Sequence, residues 1–319
     1  MTDSLGRKIN YMRVSITDRC NLRCAYCMPE PVPSMPHDDI LRFEEVLRIC
    51  RIMAGLGIET VRITGGEPLV RKGWLDFAKK LAEIPGINDV TLTTNAVLLG
   101  EYVEDLAELG LSGINISLDS LCPDIYRRMT GSDLFAKVWE SINNALQLEI
   151  RLKINCVPIR GVNERQVLPL AELTITKPLD VRFIELMPTG INQGYVGIKT
   201  EEILEILNAK YPSLKIDDSR RGFGPAKYYT IESGRGSIGF ISAASETFCV
   251  GCNRIRLSSS GFLTLCLHHS KGLDLRAHLR SGVCDRQIED AIIQSVNEKP
   301  ERHFFQTHTG LEFMSKIGG

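Results

Sequence analysis

Apolar and polar residues alternate with a period of two in five short stretches of the first two-thirds of the chain. That spacing puts successive side chains on opposite faces of a β-strand. Met12, Val14 and Ile16 oppose Arg13, Ser15 and Thr17, and Val61 and Ile63 oppose Arg62 and Thr64. Val90 and Leu92 oppose Thr91, Thr93 and Asn95, Ile114, Ile116 and Leu118 oppose Asn115, Ser117 and Asp119, and Leu152 and Ile154 oppose Lys153 and Asn155. With a sixth, more apolar stretch, the pattern predicts strands over 12–17, 60–64, 89–94, 113–119, 151–158 and 180–187. Between them, apolar residues recur at helical spacing and predict helices over 43–56, 74–84, 98–109, 134–148 and 164–173. A further helix is expected over 200–210, with Thr200 as N-cap and Ile203, Leu204 and Leu207 on one face.

Strands alternating with helices imply parallel pairing, because parallel strands need crossover connections. Parallel strands covered on both faces normally read as continuous apolar runs. These keep one polar face. An antiparallel sheet with one wet face would also alternate, but would not need the intervening helices. The expected fold is therefore α/β, a partial (open) six-stranded parallel β/α barrel whose concave polar face lines a ligand cavity. After Met187 the pattern shortens to strands over 228–231, 237–241, 254–258 and 263–267 and helices over 274–280 and 286–295. The expected division is a barrel core over 1–195 and a smaller C-terminal region over 196–319.

Bulk properties narrow the function. Hydrophobic residues make up 43% and charged residues 24% of 319, with a formal net charge of -1. That balance gives no reason to expect a nucleic-acid or membrane partner, so an anionic ligand must be met by a few placed cations. No apolar run is long enough to span a membrane, and residues 1–9 carry no secretory apolar core. A cytoplasmic location is expected. Ten cysteines then need a role other than disulfides. Cys50, Cys122, Cys156 and Cys284 are scattered and expected to be small buried hydrophobes. The other six fall into two sets.

Cys20, Cys24 and Cys27 form a C-x3-C-x2-C run directly after the first expected strand. Three thiolates can hold three irons of a four-iron cluster and leave the fourth open; a zinc site completed elsewhere, for instance by His37, is the alternative. Cys249 and Cys252, followed by Cys266, make a second such set. Arg254 and Arg256 follow Cys252 at i and i+2 spacing, so they share one face of a strand beside it. Together with Arg13, Arg62 and Lys153 on the polar barrel face, they make five cations aimed at one cavity. That arrangement suits a polyanionic small molecule such as a polyphosphate.

The first cysteine run, with Tyr26 before its last cysteine and the glycine turn GGEP at 65–68, resembles the radical S-adenosylmethionine (SAM) superfamily. The longer runs RVSITDRCN at 13–21, VRITGGEPL at 61–69, NISLDS at 115–120, RFIELM at 182–187 and FCVGCNRIRL at 248–257 resemble the GTP 3',8-cyclase family of molybdenum cofactor biosynthesis. So does the ending MSKIGG at 314–319. The resemblance implies two 4Fe-4S clusters, one on Cys20, Cys24 and Cys27 and one on Cys249, Cys252 and Cys266. It also implies SAM as cofactor, contacted by Tyr26, Gly66, Ser117 and Met187. GTP is the implied substrate, contacted by Arg13, Arg62, Thr93, Lys153, Arg254 and Arg256. The implied reaction removes the hydrogen at ribose C3', joins C3' to C8 of guanine and ends in a reduction. The tail Gly318 and Gly319 is expected to enter the cavity. An electron donor, the next pathway enzyme and a homodimeric assembly are the expected partners.

Two departures stand out: Ala96 follows Asn95 where that family commonly has glycine, and the chain is slightly short. The nearest rival is a peptide-modifying radical SAM enzyme with an auxiliary cluster. A rival of another class is a non-catalytic zinc scaffold.

Overall fold

The structure is a computed structural model that describes residues 1–27, 35–188, 194–219, 222–246, 248–269 and 271–302. The six expected strands form, two with the expected bounds and the other four ending two or three residues early: β1 (Tyr11–Ser15), β2 (Thr60–Thr64), β3 (Asp89–Thr94), β4 (Gly113–Ser117), β5 (Leu152–Cys156) and β6 (Leu179–Ile184). They pair in parallel in chain order. Helices α1 (Phe43–Gly55), α2 (Trp74–Ala82), α3 (Val103–Leu109), α4 (Pro123–Thr130), α5 (Phe135–Gln147) and α6 (Val167–Thr176) make the crossovers. The stretch expected as one helix over 98–109 is a separate 3-10 turn, Leu99–Glu101, followed by α3.

The apolar strand face and the helices make the core. Met12, Val14, Ile63, Leu92, Ile116 and Ile154 are fully buried, and Phe43 of α1 stacks on Phe77 of α2 with ring centroids 4.8 Å apart. The polar face is also withdrawn from bulk solvent. Arg62, Thr91, Asn115, Lys153 and Arg182 are all buried. Both faces are therefore covered, one by helices and the other by the walls of a cavity.

The C-terminal segments extend the same sheet on both edges. Helix α7 (Thr200–Lys210), β7 (Lys215–Asp217), β8 (Lys227–Thr230) and β9 (Ile238–Ile241) follow β6. Then come β10 (Arg254–Leu257), β11 (Phe262–Thr264), β12 (Gly272–Asp274), α8 (Leu275–Arg280) and α9 (Asp285–Asn297). β9 pairs in parallel with β6, and β10 pairs in parallel with β1. The full order is β12-β11-β10-β1-β2-β3-β4-β5-β6-β9-β8-β7. The six-stranded barrel thus carries one further parallel strand on each edge, then antiparallel strands.

Three local expectations are corrected. Lys199, not Thr200, is the N-cap of α7; Thr200 is its first helical residue, and its backbone N–H donates to Glu185. Cys50 and Cys156 are buried as expected, but Cys122 is only half-buried and Cys284 is exposed. Those two residues are the N-caps of α4 and α9. An N-cap ends the connecting loop and needs no core packing, so a cysteine there is not drawn inward.

Candidate active site between two cysteine sets

The loop carrying the first cysteine set is held by backbone contact with the glycine turn after β2. Gly66 N–H donates to Thr17 and Glu67 N–H to Arg19. The approach is so close that a Cβ on Gly66 would lie 2.4 Å from the Arg19 carbonyl oxygen. Only glycine fits there. On the loop's other side, Arg23 and Ala25 N–H groups donate to Thr130 and Met129 at the end of α4. The Cys20 sulfur accepts from Leu22 N–H at 3.4 Å and from the Asn95 amide at 3.7 Å.

Two buried carboxylates support this loop. Glu67 accepts from Leu69 N–H, the Thr94 hydroxyl and Asn95 N–H. Burial nevertheless outweighs those three donors and pushes its pKa up to about 7. Asp119 accepts from the Tyr26 hydroxyl at 2.7 Å and from Val157 N–H, and burial raises it to about 6. Ala96, the residue flagged in place of glycine, lies in the turn after β3 with φ 63. It takes the left-handed conformation glycine would take freely, at a cost of about 1 kcal/mol.

All three thiols of the first set are reduced and half-buried. Burial holds the Cys24 pKa well above the ordinary thiol value, and burial with the Cys20 and Asp119 charges pushes Cys27 to about 12. In the second set burial likewise raises Cys266, while Cys252 behaves differently. Burial raises Cys252 too, but Lys299 and Arg254 outweigh it and its pKa is lowered overall. Soft, reduced thiols opening on one cavity, with sulfur-directed N–H donors in the first set, fit iron–sulfur ligation. His37, the candidate fourth zinc ligand, has a fully solvent-exposed ring. Among the described residues, no three His, Cys, Asp or Glu side chains converge on a point that one ion would occupy.

Strand register assembles the cations. Arg13 on β1 is the Cα partner of Arg62 on β2 and of Arg256 on β10. Three guanidinium groups therefore spring from adjacent strands about 4.8 Å apart. Their proximity is resisted electrostatically: burial and the neighbouring Arg256 hold Arg13 well below its usual pKa, and burial and Arg254 lower Arg256 to about 10. The Nε atoms of Arg254 and Arg256 are buried without a hydrogen-bond partner among the described residues. Arg62 donates to the Tyr11 hydroxyl and to Thr93. Lys153 brings a counter-charge with it, pairing with Asp180 at 2.9 Å and donating to the Tyr228 hydroxyl.

One cavity of about 1100 Å³ joins these parts. Its walls include all six clustered cysteines, Tyr26, Gly66, Ser117 and Met187, and Arg13, Arg62, Thr93, Lys153, Arg254 and Arg256. Every described residue proposed from sequence for metal, SAM or GTP thus reaches the same space. The volume stands at the upper end of the range for a single small-ligand site, which leaves room for two ligands. Gly318 and Gly319 lie outside the described residues. Tyr11, Arg182 and Lys299 also line the cavity and were not anticipated. Tyr11 sits two residues before Arg13 on the same strand face, a signal that was available; Lys299 lies far from either cysteine run in sequence.

Comparison with known proteins agrees with this geometry. Residues 14–174 match the radical SAM superfamily and residues 179–305 match a family described as Molybdenum Cofactor Synthesis C. A GTP 3',8-cyclase from Clostridium perfringens is 44% identical over 323 residues, covering 100% of both chains. One from Desulforamulus reducens is 45% identical over 325 residues, again covering 100% of both. Among solved structures, Streptococcus suis SuiB bound to S-adenosylmethionine aligns with a TM-score of 0.66 over 91% of this chain and 68% of that one. At 15% identity that likeness speaks to the fold alone. The chain belongs to the GTP 3',8-cyclase family, within the radical SAM superfamily.

Proposed function

We propose that this chain converts GTP to (8S)-3',8-cyclo-7,8-dihydroguanosine 5'-triphosphate, the first step of molybdenum cofactor biosynthesis, using SAM and two 4Fe-4S clusters. The observation that carries the reading is the in-register row Arg256, Arg13 and Arg62 in a cavity bounded by both cysteine sets. A triphosphate would match the charge of three guanidinium groups crowded on neighbouring strands. Cys20, Cys24 and Cys27 would hold the cluster that, when bound, would supply the electron for reductive cleavage of SAM.

The chain's own residues bind, orient and shield. Tyr26, braced by Asp119, joins Gly66, Ser117 and Met187 as the SAM side of the cavity. Arg13, Arg62, Thr93, Lys153, Arg254 and Arg256 form the GTP side, with Cys249, Cys252 and Cys266 behind the base. Holding both ends of the nucleotide fixes C3' against C8, and burial keeps water from the radical. Residues 1–195 act as the SAM core and 196–319 as the region that completes the substrate pocket. Gly318 and Gly319 enter the cavity in this reading, so deleting both lowers activity without lowering iron content. The enzyme draws on an electron donor, hands its product to the next pathway enzyme, and works in the cytoplasm as a homodimer. Among the described residues, no helix is long and apolar enough to cross a membrane.

Anaerobic incubation with GTP, SAM and a reductant tests the proposal: 5'-deoxyadenosine and a cyclised nucleotide should appear together. About eight irons per chain support it. A colourless zinc protein, or SAM cleavage that never depends on GTP, overturns it.

A further inference from the structure

The two ends of the described chain meet at the second cysteine set. Arg7 lies in an N-terminal turn closed by the Thr2–Lys8 bridge. It is buried and pairs with buried Asp3 at 2.6 Å. Its remaining guanidinium nitrogens donate to four backbone carbonyls: Cys249 at 3.1 Å, Lys299 at 3.2 Å, Pro300 at 2.9 Å and Glu301 at 3.3 Å. Lys299 follows the end of α9 and is also buried. Its ammonium donates to the carbonyl of Arg254, two residues after Cys252, at 2.8 Å, and to that of Leu265, the residue before Cys266.

Each of the three cysteines is thereby tied to the same pair. Cys249 is held directly by Arg7, while the segments of Cys252 and Cys266 are bridged by Lys299, whose own carbonyl Arg7 holds. A surface salt bridge would not explain this, because both cations are buried and, the Arg7–Asp3 pair aside, their donors go to backbone carbonyls. We infer that Arg7 and Lys299 form a clip that positions the thiolates of Cys249, Cys252 and Cys266 for their cluster, with Lys299 supplying the positive charge beside them. The inference rests on the cluster assignment made above and adds two positioning residues to it. Charge and hydrogen bonding near the sulfurs help set a cluster's reduction potential, so Lys299 raises the potential of this cluster relative to a neutral residue there.

The test compares anaerobically purified wild type with Lys299→Gln, Lys299→Arg and Arg7→Ala. Iron content, release of iron to a chelator and an EPR-monitored redox titration are measured, the second cluster being the one whose signal SAM leaves unchanged. Lys299→Gln should shift the second cluster to a more negative potential, and Lys299→Arg should restore it. Arg7→Ala should speed iron release from the second cluster by about 10–100-fold while the first cluster still binds SAM. Loss of the second cluster alone in Lys299→Gln or Arg7→Ala also supports the clip. Unchanged potential and unchanged release in all variants overturn it, as does joint loss of both clusters, which marks a general folding defect. A wild type with no metal on the second set overturns the functional reading as well, so the two failures are told apart.

Discussion

Arg256 combines burial, crowding and a retained charge. Its Nε has no hydrogen-bond partner among the described residues, its strand neighbour is Arg13, and burial with Arg254 lowers its pKa to about 10. It still carries its charge at neutral pH, as the proposed role in holding GTP requires. Arg256→Ala should weaken GTP binding by about 30-fold or more, the equivalent of about 2 kcal/mol for a buried charge-assisted contact. SAM binding should persist. Equilibrium dialysis with each ligand checks this, and wild-type GTP affinity in the variant would remove Arg256 from the site. Glu67 makes the complementary case for an acid. Its folded pKa is about 7 against an ordinary 4.5, so the folded state holds its proton more tightly than the unfolded state. That contribution to stability is complete below about pH 4.5 and is lost as pH rises through about 7. The full shift corresponds to about 3 kcal/mol. Urea melts at pH 5 and pH 8 should show wild type losing stability relative to Glu67→Gln over that interval. A constant difference between the two proteins would show that Glu67 does not titrate there.

At the level of elements, the glycine turn after β2 and the cysteine loop after β1 behave as one unit. A Cβ at Gly66 meets the Arg19 carbonyl at 2.4 Å, and backbone cannot yield as a flexible side chain can. Gly66→Ala should therefore cost about 1–3 kcal/mol by overpacking and push the loop away from the turn. A lowered melting temperature together with reduced iron on the first cysteine set checks it. Retained iron at wild-type stability would mean the turn can move. The same scale explains what could be read in advance. Five of the six barrel strands were legible because alternation is a local, two-residue signal, and the barrel-facing cations were legible because they sit on its polar phase. Helix α4 was missed: it spans only Pro123–Thr130 and buries just Tyr126, Met129 and Thr130, too short for helical periodicity to register. β7 and β12, three residues each, escaped for the same reason. The clip of Arg7 and Lys299 was not legible at all, because its partners are 242 and 292 residues apart in the chain.

At the scale of the whole molecule, the decisive event is the return of β10 to the edge of β1. No local pattern encodes it, yet it completes the arginine row and brings the second cysteine set to the same cavity as the first. It also loads the sheet with like charge, and like charges directly opposite one another on neighbouring strands are destabilising, by about 0.2–1 kcal/mol per pair. Stability and function are therefore opposed along this row. Arg256→Met keeps an apolar stem of similar reach, removes one charge and removes an unpartnered Nε. Without ligand, that variant should be more stable than wild type by about 1 kcal/mol. With GTP the order should reverse. A ligand bound only by the folded state at 100 times its Kd adds about 2.7 kcal/mol, which for a chain of this size is a rise in Tm of roughly 4 °C. Wild type should gain that rise, the variant should gain little, and added salt should shrink the difference in the ligand-free state less than a surface row would, because the charges are buried. Anaerobic thermal melts with and without GTP measure all three. If the variant were less stable than wild type in the absence of ligand, the row would be a structural feature of the sheet, and its guanidinium groups would not be held in reserve for a polyphosphate.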